Sequence, residues 1–130
     1  MANNLTNAGE TAALRFLLGQ SPTAPTTPFK LALFTSDPTE TGAAGTEVSG
    51  GAYARQTIAF TTESGGASAN SAQIDFPAAT ANWGVITHIG IFDNAGTPVM
   101  YWYAPLSASV TINTTDIFRV NVGDIQLSIN

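Results

Sequence analysis

Val85-Ile86-Thr87-His88-Ile89-Gly90-Ile91-Phe92, then Asp93-Asn94-Ala95-Gly96, then Val99-Met100-Tyr101-Trp102-Tyr103: how this stretch is read decides the rest of the chain. Strict alternation across the first run puts Val85, Thr87, Ile89 and Ile91 on one face, the period of a half-buried strand. The break that follows is rich in turn formers, and Gly96 can adopt φ > 0, so the pattern predicts a hairpin whose second arm is Val99–Tyr103. On that arm Tyr101 and Tyr103 share one face and Trp102 takes the other.

The same period recurs on both sides. Downstream, Val110 and Ile112, then Phe118, Val120 and Val122, then Ile125, Leu127 and Ile129 predict three closing strands, with turns at Asn113–Asp116 and Gly123-Asp124. Upstream, Ala72, Ile74 and Phe76 alternate with Ser71, Gln73 and Asp75, and Pro77 ends the run. Tyr53–Phe60 reads as another strand, followed by a turn at Glu63–Ala69. Leu31 and Leu33 alternate with Ala32 and Phe34, apolar on both faces as in a buried strand. Asp37, Pro38 and the Gly- and Ala-rich Thr41–Ala52 stretch form a long loop. About eight short strands at regular spacing predict a mainly β protein, an antiparallel sandwich or barrel-like domain, rather than βαβ units.

Only the beginning of the chain departs from this period. Thr6 or Asn7 can cap a helix, with Glu10 at the capping-box spacing from Asn7. Leu14, Leu17 and Leu18 lie on one helical face with Ala13 and Phe16 at its edges, and Gly19 supplies a left-handed position after the last turn. So short a helix is marginal alone, so its leucine face has to dock, on its own sheet or on a neighbouring subunit. Pro22, Pro25 and Pro28 then favour an extended path. The expected organisation is an arm of helix and Pro-rich linker over residues 1–29 and a β domain over residues 30–130.

Charged residues are 10% of the 130, the net charge is −5, and the four cations are Arg15, Lys30, Arg55 and Arg119. Scattered in this way they make no basic patch, so a nucleic-acid partner is not expected, and neither is an anionic membrane surface. There is no cysteine, so disulfides and thiolate metal sites are ruled out. The first residues lack the basic and apolar regions of a signal peptide, and no apolar run approaches the length of a transmembrane helix. A surface of Thr, Ser, Asn and Gly suits either a hydroxyl-rich sandwich or a protein largely covered by partners.

Catalytic chemistry finds little footing. The single histidine, His88, would need a nucleophile and an orienting carboxylate, for which Asp75 and Asp93 are the candidates; a hydrogen-bonded strand histidine is the plainer reading. Asp37, Glu40 and Glu47 lie around one loop, yet without the ligand spacing of a calcium loop they read as solvated acids. Thr41–Thr46 is glycine-rich but lacks the Gly-Lys-Ser/Thr ending of a phosphate loop. Trp83, Tyr101, Trp102 and Tyr103 are candidates for a sugar-binding surface; the plainer reading has Trp102 in the core and the tyrosines packed at an edge or subunit interface. Arg55 alternates with apolar positions, as it would if half-buried against Glu47 or Asp75, or it is a plain surface arginine. No cofactor and no metal is expected.

Three stretches together carry a resemblance: Leu31-Ala32-Leu33-Phe34-Thr35, Gly45-Thr46-Glu47-Val48-Ser49-Gly50-Gly51-Ala52-Tyr53-Ala54-Arg55, and Phe76-Pro77-Ala78-Ala79-Thr80 through Trp83-Gly84 to Thr87–Asp93. With the leading helix and Pro-containing linker, the chain resembles, over roughly residues 5–105, a family of small phage virion proteins often labelled tail fibre proteins, and is similar to capsid cement proteins of tailed phages. The resemblance implies a non-enzymatic assembly role in the virion, with a cement protein bridging major capsid protein subunits as the first expectation and a small tail fibre or minor tail protein as the second; apart from the resemblance, the tyrosine face leaves a carbohydrate-binding module as the third. It implies a homotrimer, made in the host cytoplasm. Contacts are expected at Leu14, Phe16, Leu17 and Leu18 of the helix, at Pro25 and Pro28 of the linker, at Glu47, Val48, Tyr53 and Arg55 in and after the long loop, and at Tyr101 and Tyr103.

Overall fold

A computed structural model describes residues 4–20 and 24–129; Pro22 of the linker lies outside them. In chain order the elements are β1 (Asn4–Leu5), α1 (Asn7–Leu17), β2 (Phe29–Phe34), β3 (Gln56–Ile58), β4 (Ala67–Ala69), β5 (Ile74–Asp75), β6 (Gly84–Phe92), β7 (Met100–Ile112), β8 (Arg119–Val120) and β9 (Gln126–Ser128). The protein is mainly β, with antiparallel pairing throughout and one short helix among the described residues. A five-stranded sheet in the order β1-β7-β6-β2-β3 is faced by two two-stranded ribbons, β4-β9 and β5-β8. With β1 and β3 as its open edges, the sheet does not close into a barrel.

The core lies between sheet and ribbons. Leu31 and Leu33 of β2, Ile86, Ile89 and Ile91 of β6 and Ile112 of β7 meet Ile74, Phe76, Phe118, Val120, Ile125 and Leu127. Full burial is worth about 1.5–3 kcal/mol for each large apolar side chain, which is what holds ribbons of two or three residues against the sheet. Phe76 stands at the centre of an aromatic cluster, edge-on to Phe118 and Trp83 and stacked on Tyr53. On the opposite face of the sheet, Ala32, Phe34, Phe92 and Met100 form a smaller cluster, with Tyr103 packed against it.

Strict alternation along Val85–Ile91 does not survive. The pairing of β6 with β7 shifts between Ile86 and His88, where Thr87 alone opposes the stretch between Pro105 and Val110. That irregularity turns β6 by one residue, so Ile86, Ile89 and Ile91 point into the core while Val85 is exposed. A second shift, between Ile91 and Phe92, pairs Ile91 with Trp102 and Phe92 with Met100, leaving Tyr101 as the extra residue of a bulge. β7 is also one strand of 13 residues, which absorbs the expected separate strand at Val110 and Ile112. The turn between β6 and β7 does not use Gly96 at positive φ. Instead the buried Asp93 carboxylate accepts the Val99 N–H at 2.9 Å and the Thr26 N–H at 3.3 Å, while the Asn94 N–H reaches the Thr26 carbonyl at 2.8 Å. One acidic side chain thus closes the hairpin and pins the arm to it.

A second buried polar group binds the ribbons. The Asn70 side chain donates to the carbonyls of Ala72 (3.0 Å) and Asn121 (2.9 Å) and accepts the Ile125 N–H (2.9 Å). Its backbone N–H and C=O pair with Ile125 and Gly123. Asn70→Ala is therefore expected to lower unfolding free energy by about 2–4 kcal/mol, since it strands several buried backbone groups at once. Urea denaturation of wild type and variant checks this; a loss within ~0.5 kcal/mol would show that Asn70 is not the ribbon anchor.

Candidate functional site

The long loop after β2 comes back along it. Thr35 N–H donates to the Thr46 carbonyl and Val48 N–H to the Leu33 carbonyl, which sets Glu47 beside Phe34 in an isolated bridge. There its carboxylate receives Nε and Nη2 of Arg55, both at 2.8 Å, and the Tyr53 hydroxyl at 2.7 Å. The same hydroxyl accepts the Leu33 N–H, and the Arg55 guanidinium lies 3.7 Å over the Phe92 ring. Of the two acids open to Arg55 on sequence, Glu47 is the partner; Asp75 pairs with Arg119 across β5-β8. Burial alone would push the Glu47 carboxyl up, but the hydrogen bonds from Arg55 and Tyr53 and the Arg55 charge outweigh it and hold the group below the ordinary carboxylate value. Tyr53 is pushed well above the ordinary phenol value, first by burial and then by its bond to Glu47. Val48, placed among the contact residues on sequence, is buried in the core. These four residues clamp the loop to the sheet and reach the surface only in part.

The helix presents a different picture. Thr6 caps it: its hydroxyl accepts the Gly9 N–H at 3.1 Å and donates to the Met100 carbonyl at 2.7 Å, and its N–H reaches the Tyr101 carbonyl. Asn7 N–H donates to the Glu40 carbonyl. Gly9 packs so closely on β7 that a Cβ there would sit 2.5 Å from the Tyr101 carbonyl oxygen. At the other end Gly19, at φ 68°, donates to the Phe16 carbonyl and Gln20 to the Arg15 carbonyl, a Schellman closure. The helix is thus docked through its small residues near the N-terminus. Leu14, Phe16, Leu17 and Leu18 remain 58%, 70%, 74% and 59% exposed. Beside this ridge lies an open apolar groove of about 530 Å³, bordered by Ala12, Ala13, Phe16, Pro25, Phe29 and Trp102 among others. Pro28, the other linker proline, is exposed.

The aromatic residues do not form one platform. Trp83 is buried and donates its indole N–H to the Gly51 carbonyl at 2.9 Å. Because of the bulge, Tyr101 borders the groove with Trp102, whereas Tyr103 packs on the cluster across the sheet. His88 is 3.9 Å from Asp37, neither of the acids named for it on sequence, and its Nδ1 is 2.8 Å from the Thr87 hydroxyl. Glu47 lies with Arg55, apart from Asp37 and Glu40, and no three acidic or histidine side chains converge among the described residues.

The family model described as podophage GP4 fiber I protein gp80 matches residues 4–128. The chain belongs to that family. It is a structural protein of a bacteriophage particle, and its place is among the virion proteins. No curated protein matches it.

Two groups that organise this fibre-family protein escape a sequence reading, Asp93 and Asn70. Both are polar residues at turns, which a sequence shows, but their partners Thr26 and Asn121 are 67 and 51 residues away. The clamp can be tested by pH. A carboxyl held below its ordinary value contributes stability above the unfolded-state value, near 4.5, and that contribution is lost as pH falls through the folded value. Glu47→Gln is expected to cost about 1–2 kcal/mol at neutral pH and to flatten the acid limb of stability against pH. Urea midpoints between about pH 3 and 7 check this; parallel curves for the two proteins would remove Glu47 from the acid response.

Proposed function

We propose that the chain is a small, non-enzymatic subunit of the phage fibre apparatus, joined to neighbouring tail proteins as part of a symmetric oligomer. The observation that carries this reading is the helix ridge. A folded domain whose buried polar side chains Thr6, Asn70 and Asp93 are all hydrogen-bonded nevertheless leaves four large apolar side chains exposed over the last turn and C-cap of α1. Such a patch on a soluble chain is a contact surface. The charged groups support a structural role. Glu47, Asp75 and Asp93 are each engaged in holding strands or loops together, so the acids nearest the sheets serve the fold.

A capsid cement role, bridging major capsid protein subunits as a homotrimer, is the second reading. What favours it is the absence, among the described residues, of any long helix or repeated unit from which a fibre shaft could be drawn. On the fibre reading the chain is a tip or adaptor and not a shaft. In either place the surfaces left for partners are the ridge, the linker around Pro25 and Pro28, and the neutral Thr41–Thr46 stretch before the Glu47 clamp.

Immunogold labelling of intact particles, with quantitative mass spectrometry of copy number, separates the two. The fibre reading expects label confined to the tail end and copies that are a small multiple of the tail symmetry. Label over the whole shell at hundreds of copies would overturn it in favour of cement, and absence from purified particles would overturn both.

A further inference from the structure

The exposed stripe of α1 has the register of a parallel coiled-coil seam. Thr11, Leu14 and Leu18 follow the 3-4 spacing of core positions, with Glu10 on one flank and Arg15 on the other. Glu10 and Arg15 are five residues apart, the separation at which a flanking acid on one helix meets a flanking base on a parallel neighbour. Both are exposed, and neither has an ion-pair partner among the described residues. The opposite side of the helix, with Gly9, Ala12 and Ala13, is turned to its own domain, where Gly9 meets β7 and all three line the groove beside the sheet.

We propose that this stripe is covered by a second copy of the chain, its α1 running parallel about a rotation axis, with Leu14 and Leu18 in the seam and Glu10 of one copy paired to Arg15 of the next. Charge complementarity chooses the occupant. The chain carries both signs at the spacing needed to satisfy itself, and cyclic symmetry repeats the pair at every seam. Leu14 and Leu18, 58% and 59% exposed, belong to the seam, whereas Phe16 and Leu17 border the groove on the domain side of the helix. The docked N-terminal end holds the helix ready, so association need not order an otherwise marginal segment. The inference rests on the reading above that the chain works in an assembly.

Sedimentation equilibrium of the purified full chain tests it. Wild type is expected to form a closed oligomer of two or three copies. Leu14→Glu is expected to sediment as a monomer with the sheet circular dichroism and thermal midpoint of the isolated chain retained, because Leu14 is largely exposed. Should Leu14→Glu fold poorly, the charge variants still decide. Glu10→Lys and Arg15→Glu each place like charges across the seam and are expected to weaken association up to about tenfold at low salt, and the double exchange to restore it. Helix-dipole effects predict the reverse order, since the double exchange puts the wrong sign at both helix ends. A wild-type chain monomeric at all concentrations, an oligomer indifferent to Leu14→Glu, or a double exchange no better than its singles would each overturn the proposal. If wild type is monomeric and Leu14→Glu is lost from particles, another virion protein covers the ridge: self-association fails while the assembly reading stands.

Discussion

Ile86, Ile89 and Ile91 must all be buried on the same side of β6, and most of the structure follows from how that is done. Regular alternation cannot put residues 86 and 89 on one face. The irregular pairing around Thr87 supplies the missing turn, at the cost of leaving Val85 exposed and a stretch of β7 after Pro105 without a regular partner on β6. The face so created is covered by ribbons too short to stand alone. They are held by the apolar contact itself and by the Asn70 side chain, which bonds across the turn leading into β9. A bulge of this kind re-aims side chains where a flat strand would misplace half of them.

The few charged residues work inside that frame. Glu47 and Arg55 meet in a bidentate, partly buried pair with Tyr53 as a third member; Asp75 and Arg119 bridge β5 and β8; Asp93 ties the arm to the β6-β7 turn. Charge-assisted bonds of this geometry give direction to loops that have little apolar surface of their own. Because charged residues are only 10% of the chain, much of the exterior is neutral hydroxyl and amide, a surface with little electrostatic repulsion between neighbours in a crowded particle.

The helix inverts the usual arrangement. In most surface helices the large apolar residues face the domain and the polar ones face water. Here Gly9, Ala12 and Ala13 lie toward the domain, because β7 comes too close at Gly9 for any Cβ, and the large side chains are displaced outward. The close approach is itself enforced by Thr6, whose hydroxyl and N–H both bond to β7 carbonyls. The same contacts that dock the helix are therefore the reason its leucines are left for something else.

The amino-acid sequence by itself was enough for the mainly β class, the capped helix, the Gly19 stop, the Gly123-Asp124 turn and membership of a phage virion protein family, because each rests on local period, turn chemistry or contiguous motifs; it was not enough for the first-expected cement role. The Glu47–Arg55 pair was legible only as one of three readings, beside an Asp75 pairing and a plain surface arginine, since alternation allows a half-buried Arg55 without requiring it or saying which acid it meets. Tertiary structure alone decided which face each strand buries after its bulges, that Val48 and Trp83 are core, that Tyr101 and Tyr103 part company, and that Asp93 and Asn70 are anchors. The physical reason is the same in each case. A bulge is set by pairing with a strand that the local period does not see, and a buried polar group is stable only beside partners, which for Asp93 lie up to 67 residues away along the chain.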